Sequence, residues 1–192
     1  ISSINPSVIE NTQTSVTIAG TNFVSVPTVE AIGSTGAIVR ADEVSFSSST
    51  SIVAKFTLPV DGTYFVRVEN NDGGAARTST AILTVSTGPS WTTSAGSIGT
   101  VNAGDAVSLS VSATSDSTIA YSETTSILTS NTDTPATTMN LSLNSSTGAI
   151  TGTAPSATAT TTYTFTLRAS DQESQTADRQ FSITVSVGIG NG

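Results

Sequence analysis

The segment from residue 141 to residue 170 constrains the fold of this chain more than any other. From Thr162 onward, apolar and polar side chains alternate strictly, so one face of an extended strand carries Tyr163, Phe165, Leu167 and Ala169. Upstream, Leu141 and Leu143 alternate with polar residues, and the turn-forming run SSTG separates them from Ile150. The pattern predicts a β-hairpin followed by a long strand that buries one face and exposes the other.

The same period of two recurs in two further stretches of the second half. Ser or Thr separates the apolar positions there, which are Val107, Leu109, Val111 and Ala113 in one stretch and Phe181, Ile183, Val185 and Val187 in the other. Three such strands within one segment predict a β-sandwich with apolar inner faces.

Composition and spacing divide the chain into two β-rich domains. Ser and Thr make up more than a third of the residues, and only 10% of residues are charged, which favours strands and turns. The run STGPS at residues 86–90 interrupts two strand patterns. We therefore predict one sandwich at residues 1–87, a second at residues 88–188, and a tail or linker start at residues 189–192. Because a nascent chain begins with Met, Ile1 indicates a processed chain or a segment of a longer one.

The residue types that are missing restrict the chemistry. The chain has no Cys and no His, which removes disulfides, thiolate nucleophiles, the commonest general base and the commonest transition-metal ligand. Its 14 Asp and Glu residues are scattered through the sequence rather than grouped as paired catalytic carboxylates. We therefore expect no enzyme activity and assign no catalytic, cofactor-binding or metal-binding residue; the ligand-binding residues stay unknown.

The charge distribution argues against nucleic acid as a partner. The net charge is -8, with four basic against seven acidic side chains in residues 1–87 and two against seven in residues 88–192. Neither half offers a basic stripe for phosphate contacts. No apolar run approaches the roughly 20 residues that a membrane-spanning helix needs. We expect neither nucleic-acid binding nor membrane insertion.

The first half carries an ordered set of short motifs. ISSINPSVIENTQTSVTIAGTNF at its start places an Ile-x-Pro stretch before a strand and a Gly-x-Asn-Phe turn, and TSIVAKFTLP and DGTYFVRVENNDGGAARTS follow, closed by AILTVS. This order, over nearly all of residues 1–87, resembles the IPT/TIG immunoglobulin-like family. In TSIVAKFTLP the alternating apolar residues are Ile52, Ala54, Phe56 and Leu58. The resemblance implies an immunoglobulin-like sandwich.

The second half carries a different set of motifs in a fixed order. They are PSWTTSAGSIGTV, LSLNSSTGAITGTAP, TYTFTLRASD and ADRQFSITV. They resemble the Putative Ig domains related to the cadherin-like group, in which the opening Trp, here Trp91, is a packing anchor. Together the two resemblances predict an all-β protein of two tandem immunoglobulin-like β-sandwiches.

A cadherin-like domain raises the question of calcium. Calcium takes six to eight oxygen ligands, so its sites need clustered acidic residues. Asp116, Asp171 and Asp178 are isolated in the sequence, and the STGPS run contains no acid. We expect these residues to serve turns, and no metal or other cofactor to be bound.

The chain pairs these two domains and contains the segments YSETTSILTSNTDTP and NSSTGAITGTAP. In both respects it is similar to virion structural proteins of tailed bacteriophages, especially cyanophages. The resemblance implies a head decoration, tail appendage or fibre component whose partners are other virion proteins, copies of itself or host-surface glycans. Two alternatives stay open: an extracellular bacterial adhesin or filament subunit, and a carbohydrate-binding accessory module of a secreted enzyme.

Some individual side chains have two interpretations. The rings of Trp91, Tyr64, Tyr121 and Tyr163 could stack on sugars, but the strand alternation favours core positions for Tyr64 and Tyr163. Lys55 could form an isopeptide bond, but its outward phase favours a solvated charge at a sheet edge. Asn140 and Asn144 begin N-x-S sequences, for which we expect no glycan.

Overall fold

The computed structural model describes residues 1–130 and 137–187. Those residues form strands and turns, and none of them belongs to a helix of the length and apolarity that would span a membrane. The chain divides into two compact units, Ile1–Thr87 and Gly88–Gly192. The predicted all-β fold with two immunoglobulin-like sandwiches is confirmed. Residue 188 and the predicted tail at residues 189–192 lie outside the described residues.

The first unit contains two sheets. Its strands are β1 (Ser3–Asn5), β2 (Val8–Ile9), β3 (Thr14–Ala19), β4 (Thr28–Gly33), β5 (Ile38–Arg40), β6 (Glu43–Ser48), β7 (Ser51–Phe56), β8 (Gly62–Glu69), β9 (Ala75–Arg77) and β10 (Leu83–Val85). One sheet has the order β1-β3-β7-β6, and the other has the order β2-β10-β8-β4-β5 with β9 beside β8. All pairs are antiparallel except β2 with β10.

Apolar side chains from both of these sheets form one core. Ile52, Ala54 and Phe56 on β7 are fully buried, as the alternation of TSIVAKFTLP predicts, and so is Leu58 just beyond the strand. They pack in the same cluster as the inward residues of β4, β8 and β10 from the opposite sheet. The period of two in the sequence therefore places one face of each strand in the interior.

The second unit is a sandwich of the same kind. Its strands are β11 (Ser90–Trp91), β12 (Gly96–Asn102), β13 (Ala106–Ser110), β14 (Ala113–Thr114), β15 (Ala120–Glu123), β16 (Ser142–Leu143), β17 (Ala149–Thr153), β18 (Thr161–Ser170) and β19 (Thr176–Ser186). One sheet has the order β12-β19-β18-β15, and β13-β17-β16 forms the other, with β11 and β14 paired beside them. β12 runs parallel to β19.

The long strand β18 lies at the centre of this unit. Its alternating apolar residues are all buried, and Phe165 and Leu167 are completely inaccessible. Across the pair with β19, Phe165 is opposite Phe181, and their ring centroids are 6.4 Å apart. Val187 breaks the predicted pattern because it is 44% exposed. The pairing of β19 with β12 ends at Ser186, so Val187 lies beyond the paired part of the strand.

The predicted hairpin joins β16 to β17. The side-chain oxygen of Asn144 accepts hydrogen bonds from the backbone N–H groups of Ser146 and Thr147, each at 3.0 Å, so Asn144 shapes the turn. Gly148 has a φ of +70°, and a Cβ atom there would lie 2.3 Å from the carbonyl oxygen of Val111. Only glycine fits this backbone contact.

We expect Phe165→Ala to lower the free energy of unfolding by about 3–5 kcal/mol because it leaves a cavity in the core. Thr164→Ala, at the adjacent exposed position, should change it by less than about 0.5 kcal/mol. Urea unfolding of both variants measures the two values. Equal small effects would mean that the strand faces are assigned the wrong way round.

We expect Gly148→Ala to be more destabilising than Gly104→Ala. Gly104 also has a positive φ, +82°, but an added Cβ would meet no atom within 4 Å. The control should therefore cost only the about 1–2 kcal/mol of a left-handed residue. Gly148→Ala should cost at least about 2 kcal/mol more, because backbone atoms must move apart. Denaturant midpoints that coincide for the two variants would contradict the close approach.

Candidate functional site

Most charged side chains in the described residues have structural partners. Arg168 on β18 donates hydrogen bonds to both carboxylate oxygens of Asp178 on β19, at 2.7 and 2.8 Å. The hydrogen bond from Arg168 lowers the pKa of Asp178. Arg67 likewise binds Glu30 at 2.9 Å and also binds Glu69. Such ion pairs join neighbouring strands, which is a structural role rather than the preparation of a group for proton transfer.

Lys55 is outward-facing, as predicted, but its predicted position at a sheet edge is wrong. Strand β7 lies between β3 and β6, and Lys55 stands opposite Glu43 on β6. Its ammonium nitrogen is 2.6 Å from Glu43 Oε2. The sequence could not show this because the position of a strand within its sheet depends on which distant strands pair.

The four Trp and Tyr side chains all contribute to the two cores. Trp91 is 7% exposed, and its Nε1 donates to the carbonyl oxygen of Ala177 at 3.0 Å. Its ring packs against Tyr121 and Phe181, with centroid distances of 5.7 and 5.1 Å. The expected role of Trp91 as a packing anchor agrees with these contacts. Tyr64 and Tyr163 are buried as well, so neither Trp nor Tyr forms an exposed platform for sugar stacking.

Glu123, at the end of β15, holds the loop that follows it. Its Oε1 accepts hydrogen bonds from the backbone N–H groups of Ile127 and Leu128, at 2.6 and 2.8 Å, and its Oε2 accepts one from Thr129 at 2.9 Å. The hydroxyl groups of Thr125 and Thr129 donate to the same carboxylate. This role was not foreseen from the sequence, although an acid followed by the polar run TTS is its local signal.

Two opposing effects determine the acidity of Glu123. Burial of the carboxyl raises its pKa, but the backbone N–H groups of Leu128, Thr129 and Ile127 and the Thr125 hydroxyl together bring the pKa below its ordinary value. The ionised form is therefore the one that the folded loop stabilises.

Three acidic residues meet at one end of the second unit. Asp116 lies between β14 and β15, and Asp171 and Glu173 lie in the turn between β18 and β19. One carboxylate oxygen from each lies within 4.8 Å of the other two. Asp116 and Asp171 are isolated in the sequence but close together in the structure, since β15 and β18 are paired neighbours whose ends bring the two loops together. Asp178 does stand apart, in its pair with Arg168.

The first unit has a shallow apolar groove with a volume of about 230 Å³. Its apolar lining residues include Ala37, Val39, Pro59, Val60 and Tyr64. Val60 is 64% exposed. Burial raises the pKa of the Tyr64 phenol and the Asp61 carboxylate raises it further, so the phenol stays protonated and donates to the carbonyl oxygen of Val60 at 2.6 Å. The groove therefore offers mainly apolar contact area.

We expect Glu123→Gln to lower the free energy of unfolding by about 1–3 kcal/mol, because an amide cannot replace a carboxylate that accepts several hydrogen bonds. The stabilisation by Glu123 is fully present above about pH 4.3 and is lost as the pH falls through the lower pKa of the folded state. The variant should therefore lose part of the acid sensitivity of the native chain. Unfolding midpoints measured from pH 7 down to pH 3 test this.

Glu10→Gln is the matched control for this experiment, since Glu10 is exposed. It should leave both the stability and its pH dependence close to those of the native chain. If Glu123→Gln behaves like Glu10→Gln, the loop does not depend on the carboxylate.

Several solved structures are similar to this chain. Extracellular domains 3–5 of Drosophila OTK align over 97% of this chain and 60% of that chain, with 13% identity and a TM-score of 0.53, which supports the fold alone. Drosophila N-cadherin EC1-4 aligns over 93% of this chain and 47% of that chain, at 14% identity and a TM-score of 0.40. The fibronectin(III)-like modules of Clostridium thermocellum CbhA align over 99% and 96%, at 12% identity and a TM-score of 0.36.

The sequence comparisons identify the second unit. No curated protein matches the chain. The Putative Ig domain family (He_PIG) matches residues 89–186, which include every strand of the second unit, from β11 to β19. Because this match covers half of the 192 residues, the chain belongs to the Putative Ig domain family.

Proposed function

We propose that this chain is a non-enzymatic structural or adhesive module of a bacteriophage virion, located in a head decoration, tail appendage or fibre. There it stabilises neighbouring virion proteins or copies of itself, or contacts the host surface. The coarser part of this description, a chain of immunoglobulin-like domains of the structural and adhesive type, agrees with the family match and the fold. The virion location and the absence of enzyme activity are proposals.

The observation that carries the proposal is the division between the core and the surface. The inner strand faces are apolar, whereas the outer face of β18 presents exposed Thr162 and Thr164. Thr162 and Thr184 on neighbouring strands hydrogen-bond through their hydroxyl groups at 3.0 Å. Rows of hydroxyl groups on a sheet suit contact with another protein surface or with carbohydrate hydroxyls. A hydroxyl becomes a nucleophile only beside a general base, and these rows supply none.

The virion location rests on resemblance. Residues 144–155 form the turn after β16, strand β17 and the first residues beyond it, and they are one of the two segments that resemble phage virion proteins. Residues 131–135 of the other segment lie outside the described part of the chain. We also propose that the first sandwich is of the IPT/TIG type, since its motifs occur in the order of that family.

Two other functions compete with the virion proposal. A bacterial cell-surface adhesin or filament subunit would use the same modules, and the fold fits it equally well. A carbohydrate-binding module attached to a secreted enzyme is less consistent with the structure, because Trp91, Tyr64, Tyr121 and Tyr163 are all buried and no Trp or Tyr ring is left for stacking.

Electron microscopy of the native source, labelled with gold-conjugated antibodies against the purified chain, tests the location. We expect label in symmetric copies on a phage head, tail or fibre. Antibodies first absorbed with the purified chain are the control and should give no label. Label on cell envelopes or free filaments would contradict the virion proposal and favour the adhesin.

A further inference from the structure

Two buried oxygen atoms in the turn between β18 and β19 accept no hydrogen bond within the described residues. They are Asp171 Oδ2 and Gln175 Oε1. Asp171 is only 8% exposed. Buried polar atoms are nearly always partnered, and a missing ion is one of the recognised explanations for an exception. Both atoms are electron-pair donors, so the partner that suits them is a hydrogen-bond donor or a cation.

Asp171 also belongs to the acidic cluster of the second unit. One carboxylate oxygen from each of Asp116, Asp171 and Glu173 lies within 4.8 Å of the other two. In the part of the chain that the structure describes, no Lys or Arg forms an ion pair with Asp171 or Glu173. Ionised carboxylates this close repel one another, and a cation bound between them removes the repulsion. The unpartnered Oδ2 atom and the clustered negative charge therefore point to the same missing group.

Hydrogen bonds within the two loops hold the carboxylates in place. Ser117 donates to Glu173 Oε2 at 2.6 Å and accepts from the backbone N–H of Gln172 at 3.1 Å. Asp171 Oδ1 accepts from the backbone N–H of Gln175 at 2.7 Å, and Ser115 donates to Asp116 Oδ1 at 3.1 Å. The loops are thus connected to each other through Ser117, while Asp171 Oδ2 stays available.

The donor atoms decide which ion fits. The cluster offers oxygen ligands only, which suit the hard cations Ca²⁺ and Mg²⁺ rather than zinc or copper. Calcium accepts six to eight oxygens in irregular arrangements and takes carboxylates with one or both oxygens, whereas magnesium requires a nearly ideal octahedron and retains several waters. Three carboxylates of unequal exposure, from two loops, fit the first description better.

We propose that Asp116, Asp171 and Glu173 bind one Ca²⁺ ion, with Gln175 Oε1 as a further candidate ligand from the same turn. The ion would join the loop before β15 to the β18–β19 turn and so fasten one end of the second sandwich. We expect a dissociation constant of about 10⁻⁴ to 10⁻³ M, the range of calcium-binding extracellular modules. The proposal does not depend on whether the chain belongs to a virion or an adhesin.

Calorimetric titration of the chelator-treated full chain with CaCl₂ tests the proposal, together with thermal unfolding followed by fluorescence of Trp91. Trp91 is the only Trp and lies in the core of the second unit, so it reports on the unit that holds the site. We expect one bound ion per chain and a rise in Tm with calcium. Glu173→Gln removes a ligand charge at a half-buried position and should weaken binding about tenfold; Asp171→Asn should weaken it at least as much.

Glu10→Gln removes the same charge from an exposed position of the first unit and should bind calcium as the native chain does. Because Glu173→Gln also loses the Ser117 hydrogen bond, the decisive readout is the calcium-induced rise in Tm rather than the starting Tm. If Asp171→Asn does not fold, Glu173→Gln decides the question.

Three results would overturn the proposal. The first is no binding at calcium concentrations up to about 10 mM, well above the expected range. The second is equal calcium binding by Glu173→Gln and Glu10→Gln, which would indicate diffuse attraction to an acidic surface. The third is equal stabilisation by Mg²⁺ and Ca²⁺ at matched ionic strength.

Discussion

The pairing of β18 with β19 is the interaction on which the second unit depends. The two strands are in register over ten residue pairs, and their inward side chains include the fully buried Phe165, Leu167, Phe181 and Ile183. A shift of either strand by one residue would turn the inward side chains of that strand toward solvent, because the side-chain period of a strand is two. Burial therefore fixes the register, and the register fixes where each loop begins. Strand β7 has the corresponding position in the first unit, between β3 and β6 and with its inner face fully buried.

The loops of the second unit are held by polar contacts that this framework makes possible. Glu123 lies at the end of β15, where its carboxylate accepts hydrogen bonds from the backbone N–H groups of residues 127–129. Asn144 shapes the β16–β17 turn, and Gly148 lies against the backbone of Val111. Ser117 connects the loop before β15 to the β18–β19 turn, and in this way the sandwich assembles a cluster of carboxylates from residues that are far apart in the chain.

Local periodicity made much of the fold predictable, whereas features that depend on the partners of each strand were not. The buried residues of β7 and β18 could be predicted from alternation, because a strand that buries one face has an apolar residue at every second position. Val187 continues that alternation but lies beyond the last paired residue of β19, and Lys55 has an outward phase that does not reveal the central place of β7. Asp116 and Asp171 are separated by 55 positions and meet only because β15 pairs with β18. Charge and composition excluded classes of chemistry but could not show this proximity.

Hydrogen exchange of the backbone amides tests most directly whether the β18–β19 register organises the second unit. Amides that are opened only by global unfolding exchange most slowly. We therefore predict that the slowest exchange in that unit occurs at Phe165, Leu167, Phe181 and Ile183, at a rate that follows the global stability of the unit. The amides of residues 124–130 and 171–175 should exchange faster, through local opening. Exchange at β18 that is as fast as in these loops would contradict the account.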